Sequence, residues 1–113
     1  MNEPIRHGMF IMPFHPPEKP LEKSLEEDLE LVILAEQLGF TEFWIGEHHT
    51  MKYETIVMPE VFIARALGET STIRLGAAPV CLNQQSAALW PYFPQLLQFP
   101  RNAWVLPLPL PLR

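Results

Sequence analysis

Past Gln84 this chain lacks whole classes of residue. No acid follows Glu69, no glycine follows Gly76 and no histidine follows His49. From Gln85 to Arg113 the only charges are Arg101 and Arg113. The chain as a whole has one cysteine, Cys81, which excludes an intrachain disulfide and fits a reducing cytoplasm. It has no apolar run near the roughly 20 residues of a membrane span. Met1 to His7 lacks the basic start and apolar core of a secretory signal. Basic residues are few: eight against thirteen acids leave a formal charge of −5, which argues against a nucleic-acid surface. The first 84 residues hold no Gly-x-Gly-x-x-Gly and no phosphate loop, so a nucleotide fingerprint is absent.

What the tail does contain is proline. Six of the thirteen prolines and two of the three tryptophans lie in it, and it ends Leu106-Pro107-Leu108-Pro109-Leu110-Pro111-Leu112-Arg113. Proline at 91, 94, 100, 107, 109 and 111 interrupts helices and removes ladder donors from strands. No helical or strand period survives there. Residues 1–84 carry six bases against thirteen acids, net −7; residues 85–113 carry +2. Two readings compete. One is a natural polyproline segment that serves a partner. The other, favoured here, is a frameshift or splicing product that replaces the native continuation. Under either reading the tail is expected to carry no fixed structure.

The first 84 residues alternate between strand and helix patterns. His7–Phe14 reads as a strand, and Pro13, Pro16, Pro17 and Pro20 then force a loop. Ser24 with Glu27 three residues on reads as a capping box that opens a helix over 24–38. Leu25, Leu29, Val32 and Ile33 recur at helical spacing, with Leu31, Leu34, Ala35 and Leu38 widening the apolar face. Acids at 26, 27 and 28 suit the helix dipole, and Gly39 is the expected stop. Phe40–Gly46 is a second strand. Pro59 suits the first turn of a helix reaching Glu69, with Val61, Phe62, Ala66 and Leu67 inward. Residues 73–82 give a third strand. Strand, helix, strand, helix, strand argues for parallel α/β architecture.

Glu47-His48-His49 follows the second strand directly. Its three ionisable side chains sit past the C-terminal end of a strand, where parallel α/β folds keep their chemistry. Alternation along a strand allows only one of two adjacent histidines into the same cavity. An imidazole suits proton transfer because both its protonation states are accessible near neutral pH. Glu47 is read as a base or as a group that orients its neighbours. Metal binding by Glu47, His48, His49 and His15 is the rival chemistry, but the spacing is poor, with no His-x-His and no His-Glu-x-x-His. No metal is expected. His15, although near the end of the first strand, is expected to be solvated, and His7 to lie on the surface. Cys81 reads as a small buried residue.

Four segments resemble the luciferase-like flavin monooxygenases, the family of bacterial luciferase. They are Gly8-Met9-Phe10; Leu38-Gly39-Phe40 running into Phe43-Trp44-Ile45-Gly46-Glu47-His48-His49; Pro59; and Thr70-Ser71-Thr72-Ile73-Arg74-Leu75-Gly76. The resemblance covers about residues 5–84. It implies a partial (β/α)₈ barrel, strands one to three with helices one and two, followed by an irregular Pro-rich tail. Residues 1–84 would be the N-terminal part of the barrel and 85–113 an unrelated segment. The implied activity uses reduced FMN, or a deazaflavin, with O₂ on a small organic substrate, and a separate flavin reductase would supply the flavin. The resemblance selects His48 as the active-site, flavin-contacting histidine, flanked by Glu47 and His49. It also implies a cis peptide behind the flavin ring at Ala78-Pro79; an ordinary trans proline at the strand's irregular end is the alternative.

The flavin-phosphate contacts of this family come from later strands. This chain alone is therefore expected to be an incomplete enzyme that does not bind the flavin tightly. Three strands leave sheet edges unpaired, which favours oligomerisation or aggregation. The second reading is a non-catalytic fragment, a Pro-rich interaction segment on a partial α/β unit.

Overall fold

A computed structural model describes residues 5–48 and 51–78. They form β1 (Gly8–Ile11), α1 (Leu21–Gln37), β2 (Glu42–Ile45), α2 (Pro59–Leu67) and β3 (Arg74–Ala77). The three strands make one parallel sheet in the order β1-β2-β3. Each helix is the crossover that a parallel pair requires. This is the opening of a (β/α)₈ barrel, three strands and two helices long. The third strand candidate is realised only over Arg74–Ala77; residues 79–82 and the Pro-rich tail lie outside the described residues.

Register fixes two unlike sheet faces. Met9 pairs with Phe43 and Phe43 with Leu75; Ile11 pairs with Ile45 and Ile45 with Ala77. Phe43, Ile45, Leu75 and Ala77 are fully buried and join Val32 and Ala35 of α1 and Phe62, Ile63 and Ala66 of α2 in one core. Burying a Phe, Leu, Ile or Val side chain contributes about 1.5–3 kcal/mol. The other face carries Gly8, Phe10, Glu42, Trp44 and Arg74. Phe10 is 51% exposed there. Glu42 bridges this face, pairing with the Arg74 guanidinium and accepting from Trp44 Nε1 at 3.3 Å.

The first helix starts earlier than a capping box at Ser24 predicts. It begins at Leu21 behind Pro20, and Ser24 is fully buried inside it, its hydroxyl donating to the Pro20 carbonyl at 3.3 Å. Glu27 caps nothing; it pairs with Lys19. Proline at the boundary outcompetes serine because its fixed φ is already helical and it has no N–H to satisfy. The inward stripe of α1 is therefore Ser24, Asp28, Val32 and Ala35, while Leu34 and Leu38 stand exposed. Gly39 ends the turn at φ +85°, a backbone region that glycine enters without a Cβ clash. Pro59 opens α2 as expected. In α2 the inward residues are Phe62, Ile63 and Ala66; Val61 points to solvent, one position off the predicted face.

Candidate active site at the strand ends

The C-terminal ends of the three strands lie side by side. Gly46 N–H donates to the Ile11 carbonyl at 2.8 Å, and Ala78 N–H donates to the Ile45 carbonyl at 2.9 Å. These bonds extend the ladder one residue past each strand, so Met12, Gly46 and Ala78 share one rim. Space at Gly46 is tight: a Cβ there would meet Met12 Sδ at 2.3 Å and the Ile11 carbonyl at 3.2 Å.

Glu47 and His48 follow Gly46 on this rim. The parity of β2 carries Glu47 toward the face of Ile45 and His48 toward the face of Trp44. Burial agrees: Glu47 is 2% exposed, His48 half-buried. A carboxylate this deep is withdrawn from solvent, whereas a half-buried imidazole remains within reach of a ligand. His49 and Pro79 lie outside the described residues, so only Glu47, His48 and Ala78 of the expected site residues are placed. Ala78 is half-buried on the same rim as His48. Among the described residues, no group of three or more His, Cys, Asp or Glu side chains could hold a metal ion. Among the same residues no helix is long and apolar enough to cross a membrane.

Two loops wall this end. The loop after β1 and the loop after β2 run antiparallel, with a bridge between Phe14 and Glu54. His15 N–H donates to the Tyr53 carbonyl at 2.8 Å and Thr55 N–H to the Pro13 carbonyl at 3.1 Å. Phe14 and Tyr53 stack across this ladder, ring centroids 6.4 Å apart and planes 14° from parallel.

His15 is not solvated. Its side chain is 10% exposed, and Nε2 lies 3.0 Å from both carboxylate oxygens of Asp28. Lys19 Nζ approaches Nδ1 at 3.3 Å and also pairs with Glu27. Burial pushes the Asp28 carboxyl above its usual range, and the hydrogen bond from His15 pulls it back down. Asp28 was legible only as an acid near a helix start. Its true role follows from the helical spacing of Ser24, Asp28, Val32 and Ala35, which puts it on the buried stripe and so obliges it to find a partner. Glu54 was missed as well. It is 5% exposed, and its Oε2 has no hydrogen-bond partner among the described residues.

For a flavin, the strand-end residues fit the ring and not the phosphate. Small residues at 46 and 78, the Met12 thioether and a half-buried imidazole suit a flat apolar group with polar edges. Among the described residues the cations of the two wall loops are Lys19, already paired with Glu27, and exposed Lys52. That is a thin donor set for a phosphate.

The model of the luciferase-like monooxygenase family matches residues 5–89. The 4-hydroxyprotoasukamycin monooxygenase of Streptomyces nodosus subsp. asukaensis is 45% identical over 80 residues, 71% of this chain and 22% of the relative. Limonene 1,2-monooxygenase of Rhodococcus erythropolis is 41% identical over 75 residues, 66% of this chain and 19% of the relative. The oxygenating constituent of 3,6-diketocamphane monooxygenase from Pseudomonas putida, solved with FMN, superposes with a TM-score of 0.66 at 24% identity, over 71% of this chain and 22% of that one. The chain thus spans about a fifth of the length of the curated relatives it matches. It belongs to the luciferase-like monooxygenase family.

Proposed function

We propose that residues 1–84 are the opening part of a flavin-dependent monooxygenase that uses reduced FMN and O₂ on a small organic substrate, with His48 as its proton-transfer group. The observation that carries this reading is the unequal burial of two neighbours at the end of the central strand: Glu47 sealed, His48 reachable. The relatives' names and the FMN bound to the diketocamphane enzyme support it. A deazaflavin would fit the same ring-facing residues.

Reduced FMN, when bound, would supply the electrons that activate O₂. His48 and Ala78, with Pro79, would hold the ring side. His48 would hold or deliver a proton at its imidazole. Glu47 would fix the backbone and neighbours of His48 from the buried side. The Phe14–Tyr53 wall and the β1–α1 loop would limit water at this end.

The phosphate would be held by residues outside this unit. For that reason the chain alone is expected to be inactive and to bind the flavin weakly. Supply of reduced flavin by a separate reductase, and association through the edges of β1 and β3 that no described strand pairs, belong to the same proposal. Residues 85–113 would add nothing to the chemistry.

Anaerobic titration of the full chain with reduced FMN, followed by backbone NMR, tests this. The expected outcome is weak, saturable binding, with a dissociation constant above about a micromolar, some −8 kcal/mol, and shifts concentrated at Gly46, His48 and Ala78. Shifts centred away from the strand ends would overturn the site. Binding tighter than about a micromolar would overturn the claim that the unit lacks its phosphate contacts.

A further inference from the structure

Phe14 and Tyr53 are held firmly in a place where folding alone gains little from them. Phe14 is 57% exposed and Tyr53 48% exposed. Large aromatic side chains stabilise a fold mainly by being buried. Yet among the described residues the backbone beneath these two is tied across both loops. It carries the Phe14–Glu54 bridge, the His15 N–H to Tyr53 carbonyl bond and the Thr55 N–H to Pro13 carbonyl bond. Thr55 Oγ1 reinforces the last at 3.4 Å. The His15–Asp28 pair fastens the same segment to α1. Stacking of the two rings is worth only about 0.5–1.5 kcal/mol.

Fixed, exposed and apolar is the character of a recognition surface. Binding sites are lined mainly by apolar and aromatic side chains, with a few polar groups to set orientation. Here the polar group is His48, which follows the end of β2 and leads into the Tyr53 loop. Rings mounted on two separate loops also tie substrate shape to loop spacing, which is how loops on a rigid scaffold commonly carry specificity.

We propose that the stacked pair Phe14–Tyr53 is the specificity wall of the strand-end site and selects a neutral, apolar organic body. This deepens the proposed function and rests on it only for the identity of the reaction; the wall's preference for neutral apolar ligands is a property of this chain by itself. An anionic ligand of the same shape is disfavoured because its charge would be desolvated against two ring faces.

The test is an NMR titration of the full chain, without flavin, using cyclohexene and cyclohexanecarboxylate as probes. Cyclohexene is expected to shift the Phe14 and Tyr53 ring resonances saturably, with an affinity near the millimolar range, and the carboxylate to bind at least about tenfold more weakly. Phe14→Ala and Tyr53→Ser should each weaken cyclohexene about fivefold or more, while Tyr53→Phe should leave it within about twofold. The Thr55 amide shift reports whether the loop ladder survives in each variant. Ring resonances that do not respond to cyclohexene overturn the proposal. So does equal binding of the carboxylate, or a Phe14→Ala chain with an intact ladder and unchanged affinity. None of these readouts involves FMN, so their failure leaves the flavin reading to its own titration.

Discussion

Glu36 holds Thr72 by two bonds to one oxygen. Its Oε1 accepts from the Thr72 backbone N–H at 2.6 Å and from the Thr72 hydroxyl at 3.0 Å. The same oxygen takes the N–H groups of Ser71 and Ile73, both at 2.9 Å. One carboxylate near the end of α1 therefore organises the entry to β3, 35 to 37 residues further along the chain. This is how the sheet's third strand is brought into register with the first helix. The work is done at the N-terminal end of the strands, opposite the candidate site. Burial would raise the Glu36 carboxyl, but the N–H groups of Ile73, Thr72 and Ser71 outweigh it and hold the value at about 2, against a usual 4.5.

Removing that carboxylate should loosen the strand entry. Glu36→Ala is expected to lower stability by about 1–3 kcal/mol, because charge-assisted hydrogen bonds are lost while the freed N–H groups can partly turn to water. Urea denaturation of the chain measures it. The pH dependence has a definite sign. Since the folded value lies below the unfolded one, the contribution is complete above about 4.5 and disappears as pH falls through about 2. Glu36→Ala should therefore flatten the acid limb of the stability profile in that window. An unchanged acid limb would mean the carboxylate is not holding the strand entry.

Asp28 works in the opposite direction. Burial raises its carboxyl above 3.8, with His15 counteracting. A raised folded value favours the folded state at low pH, and this contribution fades as pH climbs through the folded value. Asp28→Asn removes that opposing slope, so the rise in stability above about pH 4 should become steeper than in the parent chain. Asp28→Ala, which leaves His15 with no acceptor in a nearly buried place, should cost about 2–4 kcal/mol at neutral pH. Denaturation profiles across pH 2–7 decide both. A shallower rise in Asp28→Asn would reverse the sign assigned here.

The elements were legible because their signals were local. Pro59 at the start of α2, Gly39 after α1 and the alternation through Phe43–Ile45 each need only neighbouring residues to be read. The two misplacements came from competition between neighbours. Pro20 and Ser24 are both good helix openers, and the fixed φ of Pro20 together with the packing of Ser24 into the core decides between them. Val61 and Ile63 are both apolar and stand two apart, so a short helix can turn either inward. The strand-end position of Glu47 and His48 was readable from order alone. The His15–Asp28 pair, the Glu54 burial and the Phe14–Tyr53 stack were not, because each joins groups 13 to 40 residues apart across loops. No periodicity encodes such a meeting.

The last prediction separates the two histidines. Joined to the remaining strands of a luciferase-like barrel, His48→Ala is expected to lower monooxygenase turnover by about 10²-fold or more, a plausible loss for one acid–base group. His49→Ala is expected to cost less in turnover and more in stability. Position supplies the first reason, since both residues follow the end of the central parallel strand, where barrels keep their chemistry. Alternation supplies the second: Glu47 is sealed at 2% exposure while His48 is half-buried, and adjacent residues of an extended chain are not expected to share one cavity. Steady-state rates with reduced flavin in excess, read beside denaturation midpoints, distinguish the variants. Near-normal turnover in His48→Ala with loss in His49→Ala would move the proton-transfer role to the second histidine. Normal turnover in both would make the Glu47-His48-His49 triplet a structural feature of the strand end and remove the basis for placing acid–base chemistry there.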